Sequence, residues 1–142
     1  DPVLGDHGRL YVPQAVAEAI RSRLLPLSTI TTPNLFELTW LTGELDLDKA
    51  IQKLGVAETM VTSAPATGGA LATLLHTAAK RLDHITPKQQ NMPHGTGDFL
   101  AGAYLAERLL AEPEQAFPAA MRKLDRVIAA SAGSAVLHPN PS

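Results

Sequence analysis

His94-Gly95-Thr96-Gly97-Asp98 stands directly before an apolar, alanine-rich run, Phe99-Leu100-Ala101-Gly102-Ala103-Tyr104-Leu105-Ala106. Gly95 and Gly97 let the backbone turn sharply and approach a ligand closely. The run behind them predicts a helix whose free N–H groups and dipole favour an anion. Asp98 is then a carboxylate beside an anion site, where a phosphate would repel it unless the acid takes a proton from an attacking hydroxyl. Phosphoryl transfer to an alcohol needs that combination, an anion cradle with a base next to it. The same residues also read as a glycine-rich turn with Asp98 as an ordinary helix cap.

Other groups offer chemistry with equally plain alternatives. Asn34 and Glu37 lie three apart on the first turn of a helix, where a carboxylate can hold Mg²⁺ directly or through water, or form a capping box with Asn34 as N-cap. Asp1 and Asp6 share one stretch and could add an acid to a metal site, or sit in a solvated turn. Thr62 and Ser63 could donate hydroxyls to phosphate or satisfy a strand end. Lys88 could meet a phosphate or stay solvated. The five histidines, at 7, 76, 84, 94 and 138, have no zinc-site spacing. No G-x-x-x-x-G-K-[ST] string occurs, so a nucleotide would need another cradle.

These groups need elements to hold them. The 142 residues suffice for one domain with a core. An apolar share of 45% and a charged share of 18% are those of a globular chain. A net charge of −2 supplies no basic surface for nucleic acid or anionic membrane. The absence of cysteine excludes disulfides, thiolate zinc sites and cysteine nucleophiles within the string. No apolar run reaches membrane-spanning length and no signal-peptide pattern opens the string, so a cytoplasmic location is the expectation.

Residues 5–11 read as a polar loop. Pro13 suits the first turn of a helix with Val16, Ala17, Ile20 and Leu24 on its apolar face, stopped by Pro26. Residues 28–32 predict a buried strand. Leu35, Leu38, Trp40 and Leu41 predict a short helix ending at Gly43, and Asp46 or Asp48 caps another closed by Gly55. Residues 59–62 predict a strand. Residues 70–77 and 80–86 fit a hairpin or a helix. A polar loop over 87–94 leads to the helix from Thr96 to about Ala111, with Tyr104 packed along it. Pro113 and Pro118 bracket the start of a last helix, which buries Phe117, Ala120, Met121, Leu124, Val127, Ile128 and Ser131. The tail from His138 is expected to be loose. Strands alternating with helices predict an α/β fold, a mostly parallel sheet with helices on both faces, with ligands outside the carboxyl ends of the strands.

Five blocks stand in a known order: Asp1-Pro2-Val3-Leu4-Gly5-Asp6; Gly8-Arg9-Leu10-Tyr11-Val12-Pro13; Thr32-Pro33-Asn34-Leu35-Phe36-Glu37-Leu38 with Leu41-Thr42-Gly43; Val61-Thr62-Ser63; and Gly95-Thr96-Gly97-Asp98. In this order the chain resembles the pyridoxal kinases of the ribokinase-like superfamily. The resemblance implies a Rossmann-like three-layer domain over 1–142, the ATP-binding and catalytic C-terminal half of a longer chain. It implies Asp98 as the base for the 5′-hydroxymethyl group of the vitamin, and Gly95, Thr96 and Gly97 as the anion hole. Glu37 and Asp6 are implied as magnesium-side acids with Asn34 beside them, and Asp1, Thr32 and Thr62 as a cluster for phosphate and a monovalent cation such as K⁺. Thr62 and Ser63 are also implied ATP contacts, Tyr11 part of a flap over ATP, and the loop before Gly95 a neighbour of adenine. A homodimer is implied as well. Hydroxymethylpyrimidine kinases share D-P-V, T-P-N and H-G-T-G, so a pyrimidine or sugar kinase of this superfamily is the alternative, and a non-catalytic nucleotide-binding module is the alternative from outside enzymology.

Overall fold

The lengths of the chain's connections decide how its strands pair. In the computed structural model, which describes residues 1–86, 93–131 and 134–137, the strand β3 (Ile30–Thr31) runs parallel to β4 (Glu58–Pro65), with Ile30 opposite Glu58 and Thr31 opposite Thr59. Between them lie the helices α2 (Leu35–Thr42) and α3 (Leu47–Leu54), a connection long enough for the crossover that parallel strands require. Only residues 66–70 separate β4 from β5 (Leu71–His76), and these two strands are antiparallel. The turn after β5 is closed by the Thr77 N–H donating to the Lys80 carbonyl at 2.8 Å, and β6 (Arg81–Thr86) completes the order β3-β4-β5-β6. The α/β class is as expected, but among the described strands the sheet is mixed, with its parallel pair at the β3 end.

The caps of α2 and α3 follow the sequence. Asn34 accepts from the Glu37 N–H at 2.9 Å and Gly43 closes α2 at φ 68°. Asp46 accepts from the Lys49 N–H at 2.9 Å, so Asp46 caps α3, while Asp48 pairs with Arg81 at 2.8 Å. Leu38, Ala50 and Ile51 from these helices pack with Val61, Ala64, Ala72 and Leu74 of β4 and β5.

The N-terminal region departs from its reading in two places. Residues 5–11, expected as a loop, begin with a minimal antiparallel hairpin, β1 (Gly5–Asp6) with β2 (Arg9–Leu10). His7 at φ 48° and Gly8 at φ 77° supply the positive φ that a two-residue turn between twisted strands requires. The helix after Pro13 is α1 (Gln14–Ala19), which widens into a π-helical stretch over Ile20–Leu24 and tightens into a 3₁₀ turn over Leu25–Leu27 that includes Pro26. Val16, Ile20 and Leu24 still line one surface, as expected, but that surface is not the buried one. Ala17 is buried with Leu4 and Leu41, whereas Val16 and Leu24 are exposed.

The contacts divide the chain into two compact units, residues 1–85 and 86–142. The second holds α4 (Thr96–Arg108) and α5 (Pro113–Ala130), which pack on each other. Leu100 and Tyr104 are buried on α4. All seven residues expected on the buried face of the last helix are buried, with Ser131 donating to the Val127 carbonyl at 2.7 Å. Pro118 lies inside α5 rather than at its start. No helix among the described residues is long and apolar enough to cross a membrane.

Leu38 is wholly buried, so Leu38→Ala is expected to cost about 2–5 kcal/mol in urea unfolding. Asp48→Ala, which removes an exposed ion pair, is expected to cost less than about 1 kcal/mol in the same measurement.

Candidate active site

The first unit gathers three of the sequence blocks around the start of α2. The Glu37 side chain is only 3% exposed. Its Oε2 accepts from the Asn34 N–H at 2.9 Å, completing a capping box with Asn34. Its Oε1 accepts from the Leu4 N–H at 2.7 Å and, more weakly, from the Gly5 N–H at 3.4 Å. The Asn34 Nδ2 donates to the Gly5 carbonyl at 2.8 Å. On the other side, Asn34 bridges to Thr62 in parallel register, and the Thr62 N–H donates to the Pro33 carbonyl at 3.0 Å. Glu37, Asn34 and Thr62 therefore meet, and both the capping and the tertiary use of Glu37 are realised together.

Ser63 follows at φ 58°, exposed, where a bulge between Val61 and Ala64 shifts the pairing of β4 with β5. A bulge re-aims side chains at a strand end, and Ser63 lies exposed at this one. Thr32 is 7% exposed and its Oγ1 has no hydrogen-bond partner among the described residues. A buried hydroxyl without a partner is uncommon, and it fits the place of an oxygen ligand for a hard cation or a donor to phosphate. Asp1 is exposed and lines a shallow pocket with Ile30, Thr31 and Leu41.

Asp6 sits at the hairpin turn. Its Oδ1 accepts from the His7 N–H at 2.7 Å and its Oδ2 lies 3.4 Å from His7 Nε2. Tyr11 is exposed just beyond β2, with its N–H donating to the Leu4 carbonyl at 2.8 Å. No group of three or more acidic or histidine side chains that could hold a metal ion occurs among the described residues. A Mg²⁺ bound here would complete its shell with water and phosphate oxygens, as that ion commonly does.

The second unit holds the glycine turn. Gly95, at φ 92°, is the N-cap of α4 and offers no side chain, so the cap residue takes none of the free N–H groups of Thr96, Gly97 and Asp98. Asp98 is at the third helical position, exposed, and its carboxylate makes no hydrogen bond or ion pair among the described residues. It is therefore not the helix cap. The His94 N–H donates to the Ala135 carbonyl at 2.9 Å and the Leu137 N–H to the His94 carbonyl at 3.2 Å, which anchors the turn. Lys88, most of the expected adenine-side loop and the tail from His138 fall outside the described residues.

Gly5 is the site residue that the sequence reading does not single out. A Cβ there would come within 2.2 Å of the Arg9 carbonyl oxygen and 2.7 Å of Phe36 Cε1. The only available signal is a glycine directly before Asp6.

Comparison with known proteins places this geometry. The chain is 36% identical over 129 residues to a pyridoxal kinase of Granulibacter bethesdensis, a match covering 77% of this chain and 44% of that one. The pyridoxal kinase of Entamoeba histolytica superposes with a TM-score of 0.85 at 26% identity, over 98% of this chain and 54% of that one. The pyridoxal kinase of Leishmania donovani in complex with ADP and pyridoxine superposes with a TM-score of 0.82 at 32% identity, over 95% and 50%. The chain thus spans about half the length of the relatives that it matches, and its likeness to the ribokinase-like pyridoxal kinases runs through both units. The family model described as phosphomethylpyrimidine kinase matches residues 1–139, and the chain belongs to that family.

Proposed function

We propose that the protein of which these residues form part transfers the γ-phosphoryl group of ATP to the hydroxymethyl oxygen of a vitamin B6 form, pyridoxal or a close relative. We also propose that the two units belong to one ribokinase-like domain, since one family model runs across both. The observation that carries the catalytic reading is Asp98, an exposed carboxylate without a bond among the described residues, in the first turn of a helix whose N-cap is a glycine. The similarity to a kinase structure holding ADP and pyridoxine supplies the substrate class.

In this reading Asp98 accepts the proton of the attacking hydroxyl as the O–P bond forms. The N–H groups that follow Gly95 stabilise charge on the phosphoryl oxygens. Thr32 Oγ1 holds a monovalent cation such as K⁺ or a phosphate oxygen, with Asp1 and Thr62 in the same cluster. Asp6 stands on the magnesium side, and the ion, when bound, neutralises phosphate charge. Thr62 and Ser63 contact the nucleotide and Tyr11 belongs to a flap over it. A cytoplasmic homodimer completes the proposal, on resemblance alone.

The family description and the His94-Gly95-Thr96-Gly97 string favour one second reading, a hydroxymethylpyrimidine kinase. An acceptor panel of pyridoxal, hydroxymethylpyrimidine, ribose and adenosine with ATP separates the two. Preference for pyridoxal is expected, preference for the pyrimidine selects the second reading, and preference for ribose or adenosine rejects both. Nucleotide binding without turnover on any acceptor would indicate a binding module.

Asp98→Asn keeps size and polarity and removes the base. A loss on the order of 10²–10⁴ in kcat is expected, with ATP affinity nearly unchanged. Near-normal turnover would reject Asp98 as the base. Thr32→Val replaces an unpartnered hydroxyl by a methyl, so the ligand-free protein is expected to unfold at the same or a higher temperature. Its nucleotide affinity in K⁺ is nevertheless expected to fall, and calorimetric unfolding with an ATP titration checks both.

A further inference from the structure

The Glu37 carboxylate holds together parts of the chain that an ordinary cap would leave apart. A capping box needs one oxygen of its acid for the N-cap N–H, and Oε2 does this with Asn34 at 2.9 Å. Oε1 is directed elsewhere, to the N–H groups of Leu4 and Gly5, 33 and 32 residues earlier in the chain. The Gly5 peptide is gripped from both sides, since Asn34 Nδ2 takes its carbonyl at 2.8 Å. Gly5 has no room for a side chain between the Arg9 carbonyl and the Phe36 ring. The hairpin therefore lies flush on the first turn of α2. Just before it, Val3 is held at φ 47°, a left-handed conformation that a β-branched residue keeps only when its surroundings enforce it. The bond from the next N–H to Glu37 is such a constraint.

We infer that Glu37 is a positioning residue: its buried carboxylate, engaged by the N–H groups of Leu4, Gly5 and Asn34, sets the placement of the hairpin that carries Asp6. The three N–H donors take most of the acceptor positions of this carboxylate, in a site only 3% exposed. Glu37 thus acts on catalysis through the hairpin. The catalytic part of this inference rests on the kinase reading above; the clamp itself does not.

The test is Glu37→Gln in the full-length protein, read by hydrogen exchange without metal and by steady-state kinetics. The glutamine keeps one acceptor oxygen but turns an NH₂ group toward a backbone donor. The Leu4 and Gly5 amides are expected to exchange at least about tenfold faster than in the parent protein, in EDTA as well as in Mg²⁺. Unchanged exchange in EDTA would overturn the clamp. For phosphorylation, kcat is expected to fall about tenfold or more in a variant still folded at the assay temperature. Gly5→Ala disturbs the same hairpin without touching the carboxylate and is expected to lower kcat similarly. Because both act by one route, the double variant is expected to lose no more than about twofold beyond the worse single variant. Multiplied losses, or a fully active Gly5→Ala, would overturn the positioning role. If Glu37→Gln does not fold, Gly5→Ala alone decides. If the parent protein phosphorylates nothing, the kinase reading fails, and the exchange measurement still decides the clamp.

Discussion

A carboxylate removed from water is costly unless its oxygens find donors, and the Glu37 side chain meets that condition with backbone N–H groups from two regions of the chain. The cost makes the arrangement selective. Any placement of the hairpin that pulled Leu4 and Gly5 away would leave part of a buried charge unanswered. The same two residues that start α2 therefore also hold the hairpin, and the Asn34 backbone joins that start to Thr62 at the end of the parallel pairing. A local motif has become the junction of β1, α2 and β4.

What could be read from the sequence follows from how local each determinant is. The α2 and α3 boundaries rest on a side chain and a backbone group three residues apart, so Asn34, Gly43, Asp46 and Gly55 announced them. The face of α5 was legible because an unbroken α-helical period carries its own register. In α1 the period places Val16, Ile20 and Leu24 on one surface, but a period does not say what covers a surface: Val16 and Leu24 are exposed and Ala17 is the buried residue. Residues 70–77 and 80–86 fit a hairpin or a helix by sequence, because alanine and leucine suit either. The short connection after β4 and the Thr77 turn settle them as strands.

The candidate site divides along the same line. Asn34 and Glu37 stand out in the sequence as a pair, because their spacing fits both a cap and a metal-side acid. The tertiary partners of the acid were not visible, because backbone N–H groups carry no residue identity and lie more than thirty positions away. The His7-Gly8 turn was hidden for a related reason: histidine is an unusual residue at positive φ, and an Asn-Gly or Asp-Gly pair would have given the hairpin away.

The two helix starts of the candidate site are capped in different ways. At α2 the cap is a side chain: Asn34 takes the Glu37 N–H and Glu37 takes the Asn34 N–H, so two of the donors at that helix start are already bonded. At α4 the cap is a glycine, which costs only a few tenths of a kcal/mol relative to a good cap residue and supplies no competing oxygen. Its positive φ turns the chain into the helix, and the first N–H groups find no acceptor among the described residues, which suits an anion. A carboxylate at the third position of that helix gains from the positive dipole end, yet Asp98 bonds to nothing among the described residues. A stabilising acid at that position would be expected to fold back onto a free N–H. An acid that remains outward beside unclaimed donors suits a site where anion and base must act on the same incoming group.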